Sequence, residues 1–252
     1  MREKLKYLTG KKSFHIAVIL GIVFILLFVL GVIVLRYSVE GETNMPFSLT
    51  KISIISSNEQ TNKEVTEEMR WAYDINQVND IYLYIDKNSD YEKLEGIESV
   101  EINNIQVESK SEENVKIYKV DNTDEKLIFK NKEENIVHSV EFIGDLKSDL
   151  KNSKISNQGG IVAFRCSNNN ISEYKSNDEI VNHSELLKNS GIQKEDLEMD
   201  LKFDLIIKLI GGKEYKSIID LKLPIDNVIE DGTTSSEITD LKNFIFKRIK
   251  NH

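Results

Sequence analysis

The sequence is poor in the residues that staple, cap or catalyse: among 252 residues there are one cysteine, two prolines, one tryptophan and four histidines. With Cys166 alone no intramolecular disulfide can form, so any folded domain must be held by its apolar core. No cysteine stands just after the N-terminal apolar run, which excludes a lipid-modified cysteine there. His15, His138, His183 and His252 include no H-x-x-x-H pair, and no G-x-S-x-G elbow occurs. Gly159-Gly160 and Gly211-Gly212 lack the Lys-Ser/Thr or third glycine of a phosphate-binding loop. No catalytic, cofactor-binding or metal-ligating residue is therefore assigned, and no cofactor is expected.

Three near misses define that reading. Asp86, Asn88 and Asp90 match the first three ligand positions of an EF-hand loop. Tyr91 stands where the turn needs glycine, however, and Ile97 where the bidentate glutamate belongs, so the segment reads as a polar turn. Cys166 ends an apolar run in which Val162, Phe164 and Cys166 share one face, the pattern of a buried inert thiol rather than a nucleophile. His138 falls within a predicted strand as a structural histidine. Glu198, Asp200 and Asp204 lie on one side of a strand, as its solvated half, whereas glycosidases need carboxylates facing one another across a cleft.

What is present begins with an anchor. From Ile16 to Leu35 there are twenty residues with no charged or polar side chain, enough for a helix of about 30 Å, the thickness of a hydrocarbon core. The run is longer than a signal peptide's and ends in Leu35-Arg36-Tyr37 without a small-x-small cleavage site, so an uncleaved signal-anchor through the lipid bilayer is expected. Residues 1–15 carry a net +4 from Arg2, Lys4, Lys6, Lys11, Lys12 and Glu3. Arg36 adds one more, and the whole-chain −9 leaves −14 for residues 37–252. Basic residues resist translocation, so the N-terminus is placed in the cytoplasm and the acidic remainder outside. That acidity argues against nucleic acid as a partner. Ala17 and Gly21 form a small-xxx-small pair, a spacing common by chance, and no homodimer is inferred from it.

The expected organisation is a basic tail (1–15), a transmembrane helix (16–35), a tether containing Gly41 and Pro46 (36–49) and an extracytoplasmic domain (50–252), one domain or two. Segments 49–56, 81–85, 100–107, 115–120, 127–130, 137–143, 161–166 and 244–248 are short β-branched or aromatic runs between turn-forming residues, which predicts an all-β, sandwich-like domain. The C-terminal run has helical spacing at Ile238, Leu241, Ile245 and Ile249, but its aromatic content favours a strand. Residues 57–70 and 230–236 read as exposed loops. One short helix is expected near 185–189, capped by Asn182 or Ser184 and closed by Gly191.

The strongest pattern lies at 197–209, where every odd position is apolar, and resumes at Tyr215, Ile219, Leu221 and Leu223 after two glycines. Odd core positions on both arms demand a loop of three or five residues. Ile210-Gly211-Gly212 is favoured because glycine suits the left-handed last position, setting Ile207 opposite Tyr215, Phe203 opposite Ile219 and Leu201 opposite Leu221. The competing loop, Gly211-Gly212-Lys213, would pair Leu209 with Tyr215.

The stretches Tyr37-Ser-Val-Glu-Gly-Glu-Thr-Asn-Met-Pro-Phe47, Lys51-Ile-Ser-Ile-Ile-Ser56, Phe203-Asp-Leu-Ile-Ile207 and Leu221-Lys-Leu-Pro224 resemble a family of uncharacterised, membrane-anchored bacterial proteins with an extracytoplasmic β-rich domain. The Ile-, Asn- and Lys-rich composition is what an AT-rich bacterial genome would encode. The resemblance implies the same anatomy and carries no activity. Without a catalytic signature, the expected role is a non-enzymatic binding or interaction module at the cell envelope with an envelope protein as partner; the alternative is an envelope hydrolase whose site only the fold assembles.

Overall fold

The computed structural model describes residues 12–42, 44–65, 69–89, 91, 94–121, 127–146 and 153–249. Arg2, Glu3, Lys4, Lys6, Lys11, Asp90 and His252 lie outside that set. The chain forms two units, Met1–Thr43 and Asn44–His252.

In the first unit, helix α1 (Lys12–Glu40) runs for 29 residues, about 43 Å, and its apolar side chains are exposed on every side. A water-soluble surface helix would show one polar face; this one has none and is long and apolar enough to cross a membrane. It continues past Leu35 because nothing breaks it there. Arg36 pairs with Glu40 one turn on (2.7 Å), and the Ser38 hydroxyl donates to the Leu35 carbonyl. Gly41, at φ +72°, ends it, its N–H donating to the Tyr37 carbonyl. Residues 36–40, expected as tether, are thus helical, and only 41–46 link helix to strand.

The second unit is built on β1 (Phe47–Asn62), β2 (Trp71–Lys87), β3 (Ile97–Ser109), β4 (Val115–Lys119), β5 (Val140–Gly144), β6 (Ser153–Ile155), β7 (Gly159–Ser176), β8 (Met199–Leu209), β9 (Glu214–Lys222), β10 (Thr233–Ile238) and β11 (Lys247–Ile249). Short helices α2 (Leu186–Asn189), α3 (Lys194–Leu197) and α4 (Val228–Asp231) join some of them. One sheet has the order β10-β1-β2-β7-β4 and the other β11-β9-β8-β3-β5-β6. The pairings are antiparallel except for β5 with β6. The two sheets enclose one apolar core to which both contribute, so the domain is all-β as its composition predicts. Across the core the Phe164 ring meets Phe203 edge-on at 5.3 Å.

The β8–β9 hairpin has the register its sequence requires: Ile207 faces Tyr215, Phe203 faces Ile219 and Leu201 faces Leu221. The loop is Ile210-Gly211-Gly212, closed by Gly212 N–H to the Leu209 carbonyl (2.8 Å) and Leu209 N–H to the Lys213 carbonyl (2.9 Å). Gly212 has φ +78°. The competing loop would have put lysine in that conformation at a steric cost.

Several elements depart from expectation for identifiable reasons. β1 and β2 run far beyond their apolar segments because, toward one end, the inward positions are polar. Ser56 pairs with Asn79 and Asn79 with Cys166; one step further, Asn58 pairs with Gln77 and Gln77 with Asn168. Ser56, Asn79, Gln77 and Asn168 are fully buried. Ser56 Oγ donates to Asn79 Oδ1 (2.6 Å) and Gln77 Nε2 to the Leu197 carbonyl (2.9 Å), so period two persists with polar residues on the core side. The supposed loop 57–70 therefore contains strand as far as Asn62, and 230–236 contains most of β10. Beyond these polar rows a smaller core gathers Tyr73, Ile75, Tyr174, Leu186, Leu187, Leu197, Ile225 and Val228. Leu197 ends α3 rather than opening β8. The helix at Leu186–Asn189 follows a 3-10 turn capped by the Asn182 side chain, and Gly191 is left-handed beyond it. Segment 127–130 is not a strand: Ile128 makes only an isolated bridge to Asp121. At the C-terminus the pairing is confined to β11 on β9.

Truncating Phe203 to alanine should lower stability by about 3–5 kcal/mol, because it empties space against Phe164 in a closed core, whereas exposed Lys202→Ala should cost less than about 1 kcal/mol. Equilibrium urea unfolding of the two variants measures the contrast, and equal losses would contradict the inward face.

Candidate functional surfaces

The groups that sequence reading weighed for chemistry are dispersed. His138 is exposed in the bend before β5 rather than within a strand. His183 is exposed at the opposite end from Phe47, its Nδ1 3.0 Å from Gln60 Nε2 and its ring tilted over Tyr73. His15 lies on α1 beside Phe14. Asp86 accepts from the Thr50 hydroxyl (2.5 Å), and Asn88 binds back to the chain before β1 through its N–H to the Pro46 carbonyl (2.8 Å). Among the described residues no three His, Cys, Asp or Glu side chains converge as a metal site.

Cys166 is fully buried on the core face of β7 with Val162 and Phe164, and burial pushes its thiol up to about 12. A thiolate there would be an unsolvated charge, so the sulfur is held as neutral packing. Glu198 and Asp200 are exposed as expected. Asp204 is not: it is buried on the outer face of β8, receiving Asn104 Nδ2 (2.5 Å) and Lys216 Nζ (2.7 Å). A bulge in β3 between Asn103 and Gln106, with Asn104 left-handed at φ +52°, folds the amide over it. Position parity alone could not show that cover.

One ionic node had no sequence signal. On the outer face of the β1–β2–β7 sheet, Arg165 is 7 % exposed and binds Asp80 through two nitrogens (2.6 and 3.0 Å), Glu59 (2.7 Å) and Asn131 Oδ1 (3.0 Å). Asn131 donates in turn to Glu59 (2.7 Å), and Phe129 lies under the guanidinium and against Tyr82. Burial works against the guanidinium charge; the hydrogen bonds and charge of Asp80, with those of Glu59, outweigh it and raise the pKa of Arg165 above its ordinary value. The node's partners pair off its hydrogen-bonding groups and fasten the segment around Phe129 and Asn131 as a strap.

Two open grooves lie at loop ends. One, of about 430 Å³, is lined by Glu108, Lys110, Glu195, Glu198, Asp200 and Lys222, a mixed-charge surface. The other, of about 420 Å³, is walled by Leu94, Leu146, Ile210, Gly96, Gly211 and Asn157. A different feature is β10, which pairs with β1 on one side and, among the described residues, with no strand on the other. Proteins normally guard such edges with lysine, proline or extreme shortness. β11 and β6 are three residues long and carry Lys247, Arg248 and Lys154, and β4 is bridged by Ile136. β10 reads Thr-Thr-Ser-Ser-Glu-Ile, six residues with one charge, Glu237, drawn to Lys51 at 2.9 Å.

Asp80→Asn should cost about 3–5 kcal/mol by leaving a buried guanidinium underpaired, against less than about 1 kcal/mol for Glu59→Gln at the exposed rim. Chemical denaturation separates the two, and limited proteolysis should show earlier cleavage around residues 127–136 in Asp80→Asn. The Cys166 thiol should react with a water-soluble maleimide slowly when folded and fast in denaturant. Fast labelling of the native protein would contradict its burial.

Compared with protein-family models, curated proteins and solved structures, the chain shows no match, so what it does must be read from its own anatomy and surface.

Proposed function

We propose that the chain is a single-pass membrane protein of the cell envelope, cytoplasmic at its N-terminus, whose outer β domain is a non-enzymatic module that binds an extended segment of another envelope protein. The anchor is supported by α1, and the orientation by the five basic residues before the apolar run that starts at Ile16. The binding role is carried by the open, unguarded edge of β10. An unpaired strand edge offers a row of backbone donors and acceptors, and a partner strand added there gains hydrogen bonds without needing a pocket. The rival reading, an envelope hydrolase, finds its histidines in separate surroundings, His138 before β5 and His183 against Gln60 and Tyr73.

Two measurements test this. Protease added to intact spheroplasts should digest the β domain and spare the anchor; protection until lysis would reverse the orientation. Photo-crosslinking residues placed at Thr233 and Ser235 in the full-length protein should capture one defined protein in native membranes, with Lys222 on the other sheet as control. Equal capture from Lys222, or none from β10, would remove the edge from the proposal.

A further inference from the structure

Three large aliphatic side chains stand out at one end of the β domain: Leu94 is 94 % exposed, Leu146 77 % and Ile210 44 %. They come from three different loops, yet they wall a single groove. Hydrogen bonds tie those loops together. Ile210 N–H donates to the Gly96 carbonyl (2.9 Å), Leu146 N–H to Asn157 Oδ1 (3.0 Å), and Asn157 Nδ2 to the Ile97 carbonyl (2.6 Å). An apolar cluster held in place in this way has a cost in water that isolated surface leucines do not signal.

The register of the strands shows which end this is. Phe47, where β1 starts, pairs with Lys87 at the end of β2, and Asp86 pairs with Gly159 at the start of β7, directly after Asn157 and Gln158. Ile97 at the start of β3 pairs with Leu209 at the end of β8, next to Ile210. Lys87 Nζ reaches Gln158 Oε1 (3.3 Å), and the turn after β2 is bonded to Pro46. The apolar tips therefore share the end of the domain at which the chain arrives from α1. Seven steps separate Glu40 from Phe47, and at no more than about 3.6 Å each they allow about 25 Å. Leu35 to Glu40 adds five helical residues, about 7 Å, which covers the headgroup layer on one side of a bilayer. If α1 spans the bilayer, covalent reach limits how far this end can lie from the membrane surface.

We propose that the loop tips bearing Leu94, Leu146 and Ile210 are a second, interfacial membrane contact that seats this end of the domain on the lipid headgroups. It rests on the reading that α1 spans the bilayer. The chemistry fits a lipid surface: aliphatic tips enter the headgroup and upper acyl region. Lys213, drawn to Glu95 (3.2 Å) and Tyr91, and Lys87 have long apolar stems that let their ammonium groups stay in the polar layer. With the tips seated, β10 and the strap are carried on a domain of restricted orientation rather than on a free tether.

The test uses full-length protein in nanodiscs of phosphatidylcholine and phosphatidylglycerol. An environment-sensitive fluorophore is placed at Leu94→Cys, Leu146→Cys or Ile210→Cys, at Ile180→Cys on the opposite end, and at Leu26→Cys within the helix. Headgroup nitroxide lipids should quench the three tip probes several-fold more than the Ile180 probe, while mid-chain nitroxide lipids quench the Leu26 probe. Tip probes quenched no more than Ile180, with Leu26 still quenched, would overturn the contact and leave the anchor standing. A Leu26 probe blind to mid-chain nitroxide would instead overturn the anchor reading itself. Tip emission that shifts to the blue with protein copies per disc, yet ignores the nitroxides, would assign the patch to a second copy of the chain and also overturn the proposal.

Discussion

The outer domain depends on one dry interface between two sheets. With a single cysteine there is no covalent staple, so the inward rows of β1, β2 and β7 must find complementary rows on β3, β8 and β9. The edge-to-face contact of Phe164 with Phe203 lies in that interface, beside the neutral thiol two residues along β7. A charge placed here could neither be solvated nor paired, and for this reason Cys166 is held far from its thiolate form.

That interface does not run apolar from end to end. The Ser56–Asn79 and Gln77–Asn168 rows divide the main core from the smaller one around Tyr73, Tyr174 and Leu186. Buried polar rows cost more than aliphatic ones of the same volume, but they limit how the long strands can slide: a one-residue slip would turn the inward rows outward, and a two-residue slip would set amides against apolar rows. Arg165 plays a comparable part on the outer face, where Asp80, Glu59 and Asn131 fasten a segment that has no ladder of its own. The result is a frame that leaves β10 open on one side among the described residues and apolar tips exposed at one end.

The proposed binding role draws on what this frame leaves open. Among the described residues its two loop-end grooves are open, His138 and His183 are separated, and β10 presents a strand edge. On the proposed role, seating the domain on a membrane would raise the effective concentration of the β10 edge toward partners in the same plane.

What the sequence determined by itself were features with local causes. Twenty apolar residues must span lipid or be buried; strict alternation must make a half-buried strand; and parity with a left-handed glycine must set a three-residue hairpin, so Leu201, Phe203 and Ile207 could be paired from the sequence alone. Only the tertiary structure decided the rest. Gln77, Asn79 and Asn168 look like loop residues until a facing sheet buries them; Asp204 looks solvated until the β3 bulge covers it; and β10 looks irregular until β1 offers it a partner. The tips at Leu94, Leu146 and Ile210 are far apart in sequence and meet only because strand register brings three loops to one end. Their surroundings are set by non-local contacts, and no local propensity encodes those.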